Sequence, residues 1–209
     1  MNILRKPFRY SFNSVVFYLI GINILVFIVS YSGIFPYLTY ILALFPPYVR
    51  AGWVWQFVTY MFAHVGWQHL FFNMLGLFVF GWQVERRLGS SEFLLYYLLT
   101  GTLAGIISFG FYVFTGANET FLLGASGALF AVELAYATFF PDSIIYIWGL
   151  IPLRAPVMVL GYTALQLFFS VTGFQRGVAH LTHLSGFAVG WLYIVVRFGL
   201  NPWREFRRG

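Results

Sequence analysis

Gly124-Ala125-Ser126-Gly127-Ala128-Leu129-Phe130 heads an apolar run past the middle of the chain. Glycine and alanine beside the serine leave its hydroxyl unobstructed, and the glycines let another backbone come close. Two readings fit these residues: a nucleophilic serine, or a notch where two membrane helices pack tightly. The spacing Gly-x-Ser-Gly is shorter than the Gly-x-Ser-x-Gly of soluble sheet hydrolases, and no strand pattern precedes it. The decision rests on histidines elsewhere. His64 and His69 lie with Asn73 on an earlier apolar run, and His180 and His183 on a later one.

Of 209 residues, 60% are hydrophobic, 22% aromatic and 9% charged, whereas a soluble domain carries about 25% charged residues. Lipid, not water, must solvate most of this surface, so the chain reads as an integral membrane protein. At roughly 20 residues per crossing, six or seven spans exhaust the length, and a large soluble domain is excluded. Cysteine is absent, which removes disulfide and thiolate chemistry. The first apolar run is too long for a removable signal peptide and lacks a small-residue cleavage site, so it is expected to be the first span. The net charge of +6 would suit nucleic acid, but the basic residues sit at the ends of apolar runs. That is a topology signal, and no nucleic-acid partner is expected.

Six spans are expected at 14–31, 57–83, 93–114, 126–140, 155–171 and 178–196, flanked by a basic leader (1–13) and a basic tail (197–209). Between the first two, segment 34–56 is aromatic and interrupted by Pro36, Pro46 and Pro47, so it cannot be one regular helix. Its Trp53 and Trp55 suit the membrane interface. The apolar stretch 143–152 fits no element clearly. Six crossings put both termini on one side. If that side is cytoplasmic, all twelve basic residues except Arg50 and Arg176 fall there, as the positive-inside rule requires. No internal repeat is visible.

Polar side chains within spans cost about 2.5–3.5 kcal/mol at a helix centre, so each needs a reason. His69 and Asn73, four apart, share a helix face; His64 lies nearer the outer end and off that face. Gly186 and Gly190 follow His183 at small-xxx-small spacing, which allows close helix approach. Spans two, four and six all enter from the outside. Ser126 and His183 therefore lie at similar depth, and a glycine contact between spans four and six would bring hydroxyl to imidazole. That is an activated nucleophile and its base. His69, Asn73 and the Ser126 N–H would serve the oxyanion. Plainer readings stand beside these: His64 and His180 as helix-to-helix hydrogen bonders, Asn73 as interhelical glue. Glu133 lies about 10 Å deeper than Ser126, too far to orient His183, and reads as a buried structural residue. The expected site is thus a Ser–His pair without a carboxylate. No His-Glu-x-x-His metal motif occurs, and no metal or cofactor is expected.

With these residues in view, the chain resembles the rhomboid family of intramembrane serine proteases. Residues 22–27 look like that family's first span. His64-x4-His69-x3-Asn73 matches its second, and Leu88-Gly89-Ser90 with Phe93, Tyr97 and Gly101 its third. Gly124-Ala125-Ser126-Gly127 matches the nucleophile motif, and His183-x2-Gly186-x3-Gly190 the base motif. The resemblance implies an all-α, six-span bundle with a half-embedded first loop, and catalysis by Ser126 and His183 with His69 and Asn73 at the oxyanion. Gly124, Gly127, Phe130, His64, Gly186 and Gly190 are supporting residues. A mobile cap around Phe174 is also implied. Two departures stand out. Trp55-Gln56 replaces the frequent Trp-Arg of the first loop, which removes a bracing ion pair. Phe130 replaces a tyrosine that stacks on the catalytic histidine, so stacking is expected to survive without the hydroxyl.

The activity implied is endopeptidase cleavage of single-span membrane proteins near the outer membrane face. Substrate would enter sideways from the bilayer, between spans two and five, into a cavity lined by His64, His69, Asn73, Ser126 and His183. The location implied is a bacterial or archaeal cell membrane with both termini cytoplasmic. The alternative is a non-catalytic relative that binds membrane helices for quality control. A transporter would need inverted repeats. The oligomeric state is left open.

Overall fold

A computed structural model describes residues 5, 6, 8–147, 149–172 and 180–208. Helix α1 (Val15–Tyr31) leads into three short helices, α2 (Leu38–Leu42), α3 (Pro46–Arg50) and α4 (Gln56–Thr59). The prolines at 36, 46 and 47 divide this first loop as their sequence positions require. Next come α5 (Trp67–Gly76), a π-helical turn (Leu77–Gly81), α6 (Trp82–Leu88) and α7 (Ser90–Thr115). The chain continues with α8 (Ser126–Phe139), strands β1 (Ile144–Ile147) and β2 (Ile151–Arg154), α9 (Ala155–Thr172), α10 (His180–Tyr193), a second π-helical turn (Ile194–Phe198) and α11 (Pro202–Phe206). Helices Ser90–Thr115, Ala155–Thr172 and His180–Phe198 are long and apolar enough to cross a membrane; α1 and α8 are apolar but shorter.

Two expectations need correction. The apolar stretch after α8 is an antiparallel hairpin, with Ile144 opposite Arg154 and Ile147 opposite Ile151, so the fold is mostly rather than wholly helical. The helix expected to run from residue 57 starts at Trp67. Gly66 precedes it at φ 76° and ψ 150°, a backbone conformation that glycine adopts without strain. His69 therefore stands in the first turn of its helix instead of three turns inside it. Phe174, Arg176, Val178 and Ala179, which carry the cap and the start of the last span in the sequence reading, lie outside the described residues.

Helix α8 is the axis of the bundle. Every residue from Gly127 to Ala135 is buried, and α5, α6, α7, α9 and α10 all pack on it. Such a helix has no face to give to solvent, and its run of Gly127, Ala128, Ala131 and Ala135 keeps it thin enough to be surrounded. The tightest approach is to α10. A Cβ on Gly186 would overlap the Gly127 carbonyl, and one on Gly190 would lie 2.8 Å from the Ala131 Cβ. At about 1.5 Å per residue, fourteen residues span about 21 Å, against a hydrocarbon thickness of about 30 Å. The amino end of α8 is thus short of one boundary of any bilayer its other end reaches.

Polar side chains hold the periphery to this axis. Glu85, fully buried, accepts from the Val15 and Val16 N–H groups at 2.7 and 2.9 Å and from the Ser90 hydroxyl. It caps the amino end of α1, whose first amides have no helical partner. Glu92 takes two 2.8 Å hydrogen bonds from the Arg197 guanidinium and one of 2.6 Å from the Tyr193 hydroxyl, joining α7 to the end of α10.

The glycine contact gives the first prediction. Gly186→Ala is expected to lower stability by about 1–3 kcal/mol through overpacking, read as a fall in melting temperature in detergent. Gly110→Ala has nothing within 4 Å of its new methyl and is the matched control.

Candidate active site

Ser126 is the first residue of α8, and the chain before it is fastened twice. Leu122 and Leu44 exchange backbone hydrogen bonds of 2.9 Å, and the Gly124 N–H donates to the Tyr60 carbonyl at 2.9 Å. Phe45 stacks on Phe121 with centroids 4.1 Å apart. The first loop and the segment leading to the serine are thereby one unit. Gly124 itself has φ +110°, and a Cβ there would stand 2.6 Å from the His69 ring. Only glycine meets both conditions.

The His183 Nε2 lies 2.7 Å from the Ser126 Oγ. On the other side of the ring, His183 Nδ1 is 3.1 Å from the Gln166 Oε1, and His180 Nδ1 is 2.6 Å from the same oxygen. An amide oxygen only accepts, so both Nδ1 atoms carry hydrogen and the neutral His183 turns the lone pair of Nε2 toward the hydroxyl. Phe130 lies flat on the His183 ring, with centroids 4.6 Å apart and planes 8° apart; Tyr162 stacks on its far side at 5.1 Å. The imidazole is held at its edge by an amide and on its face by a two-ring stack.

His69 and Asn73 share a helix face as their spacing requires. One N–H of the Asn73 amide donates to the His69 carbonyl at 2.7 Å, which leaves the second N–H of that Nδ2 for another acceptor. His69 and Asn73 line the same cavity as Ser126 and His183. His64 does not, contrary to the sequence reading. It is buried behind His69, with ring centroids 5.1 Å apart, and its Nε2 faces the Ala125 N–H at 3.4 Å. His180 is buried too, and its bond to Gln166 runs from α10 to α9, a helix-to-helix hydrogen bond of the kind its plainer reading gave it.

The cavity has a volume of about 950 Å³ and is walled by α5 and its π turn on one side and by α9 on the other. From Ser126 it runs past Phe72, Met158 and Tyr162 to Glu133 and the hairpin residue Ile145. It therefore extends well beyond the serine along α8. Among the described residues, no group of three or more histidine, cysteine, aspartate or glutamate side chains could hold a metal ion.

A family model described as the rhomboid domain matches residues 51–200. The chain belongs to the rhomboid family. Rhomboid protease GluP of Bacillus subtilis (strain 168) is 42% identical over 82 residues, which cover 39% of this chain and 15% of GluP. YdcA of the same organism is 30% identical over 146 residues, 69% of this chain and 67% of YdcA. Rhomboid protease GlpG of Haemophilus influenzae is 29% identical over 140 residues, 67% of this chain and 68% of GlpG. The chain thus matches about two thirds of the latter two proteins and a small part of GluP.

Gln56, which stands where the family often has arginine, braces this rhomboid's first loop without charge. Fully buried, it accepts from the Phe45 N–H at 3.1 Å and donates to the Tyr40 and Ile41 carbonyls, each at 3.2 Å. Trp55 Nε1 and the Thr59 hydroxyl add bonds to the Ile41 and Leu42 carbonyls at 3.1 and 2.8 Å. The brace is kept and the ion pair is not needed. Gln166 is the residue that the sequence reading passed over. Its signal was the one that singled out the histidines: an amide in an otherwise apolar span carries an insertion cost that something must offset.

Gly124→Ala tests the site's construction. It should push His69 off the loop and reduce labelling of Ser126 by a fluorophosphonate on the order of a hundredfold, as ångström-scale misplacement does, while the protein remains folded by its melting curve.

Proposed function

We propose that this rhomboid is an intramembrane serine endopeptidase that cleaves transmembrane segments of single-span proteins near the outer membrane face. The observation that carries this reading is the 2.7 Å contact between Ser126 Oγ and His183 Nε2 at one end of a cleft between two helices. The family relationship and the relatives named rhomboid protease support it. In this reading residues 14–196 form a six-span catalytic domain in a prokaryotic cell membrane. The crossings are α1, α5 with α6, α7, α8, α9 and α10, and the basic leader and tail are cytoplasmic.

The substrate helix leaves the lipid between α5 and α9 and unwinds, since an intact helix keeps its carbonyls bonded. Ser126 Oγ attacks the exposed carbonyl carbon while its proton passes to His183 Nε2. The charge that develops on the carbonyl oxygen meets the second N–H of Asn73, the His69 ring and the Ser126 N–H at the positive end of α8. His183 returns the proton to the leaving amine. Water then cleaves the acyl-enzyme by the same base in reverse order. Gln166 acts through His183: it fixes the tautomer and takes the place that a carboxylate fills in a Ser-His-Asp triad. Because its oxygen is neutral, it orients the ring with less stabilisation of the imidazolium than an acid gives. A non-catalytic helper reading finds no support in a site whose serine and histidine are both present and hydrogen bonded.

Ser126→Ala is expected to abolish cleavage of a single-span substrate in liposomes and to remove fluorophosphonate labelling; undiminished cleavage would refute the proposal. Gln166→Leu should lower kcat by roughly 10- to 100-fold with little change in KM, the range of a misoriented general base. Gln166→Glu, which keeps an acceptor oxygen, should recover much of that loss.

A further inference from the structure

Glu133 is the one carboxylate among the described residues that line the cleft. It is 8% exposed, lies on the innermost helix, and takes no hydrogen bond or ion pair among the described residues; the three ion pairs there are made by other acids. Tyr162, on α9, lines the same cleft. Apolar residues, among them Phe80, Leu129, Ile145 and Met158, line much of the same cleft. The other buried glutamates of this chain are satisfied, Glu85 by two amides and a hydroxyl, Glu92 by a guanidinium. An unpaired carboxylate in such a place is costly unless something brings it a partner, and the cleft is the side from which a partner can come.

We propose that Glu133 forms a specificity subsite that receives a lysine or arginine side chain of the substrate, two or three residues to the carboxyl side of the bond that Ser126 cuts. This rests on the protease reading above. Seven residues of helix separate Glu133 from Ser126, about 10 Å, which is about three residues of extended chain at 3.3 Å each. A segment that enters with its amino end outermost places its carboxyl side at that depth, and this orientation is part of the proposal. The basic side chain bears its own penalty within a membrane, and a carboxylate partner offsets part of it. The same cation outside the cleft has no such partner, and this makes the preference one of position rather than of general charge.

The test is kcat/KM on single-span substrates in liposomes, with Lys, Leu or Glu placed at each of the first four positions past the scissile bond. Wild type should favour Lys over Leu by at least about tenfold at the second or third position, the scale of a desolvated charge pair. In Glu133→Gln that ratio should fall to within about twofold, the range of ordinary surface variation. Glu133→Lys should turn the preference toward Glu. Fluorophosphonate labelling of Ser126 reports an assembled site in each variant, and wild type alone suffices if the variants do not fold. A labelled wild type that cuts with no preference for Lys overturns this assignment and leaves the protease reading intact, as does a Lys preference that persists in Glu133→Gln. A wild type that neither labels nor cuts overturns both.

Discussion

The contact of Gly186 on the Gly127 carbonyl is the constraint on which the site depends. Lipid gives two helices no hydrophobic reason to associate, so close backbone packing must supply the attraction. Here the same approach that holds α10 on α8 sets how far an imidazole on one reaches toward a hydroxyl on the other. His183 lies three residues before Gly186, and Ser126 directly precedes Gly127. A helix separation larger by a methyl group would lengthen the 2.7 Å hydrogen bond beyond the reach of proton transfer. Packing and chemistry are therefore fixed by one dimension.

Several polar side chains of the rest of the bundle tie its parts together. Charges stay at the helix ends, where Glu85 caps α1 and Glu92 binds Arg197. Neutral amides serve the interior: Gln56 closes the first loop with three hydrogen bonds, and Gln166 accepts from two histidines. An amide in a low-dielectric interior carries a smaller desolvation penalty than an ion, yet fixes direction equally well. Glu133 is the exception to this pattern, and it faces the cleft.

Much of the candidate site's geometry was legible in the sequence because it rests on spacing. Glycines beside Ser126 and after His183 announce a close helix pair, and an interval of four puts His69 and Asn73 on one face. The start of α5 was not legible. Residues 57–65 are as apolar as the helix that follows, and composition does not register the break at Gly66. The hairpin 144–154 is too short for its alternation to stand out from an apolar helix fragment. His64 was given to the cavity because its neighbour in sequence, His69, belongs there; the irregular chain between Phe62 and Trp67 turns it behind that ring instead. Gln166 escaped because its two partners lie on another helix, fourteen and seventeen residues away.

One wall of the cleft is made by the helix that also steadies His183. Gln166 and Tyr162 both belong to α9, the first bonded to His183 and the second stacked behind Phe130. Sliding α9 outward far enough to widen the entrance would withdraw the amide from both imidazoles and loosen the aromatic backing in the same stroke. Any opening on that side would therefore disarm Ser126 until α9 returned.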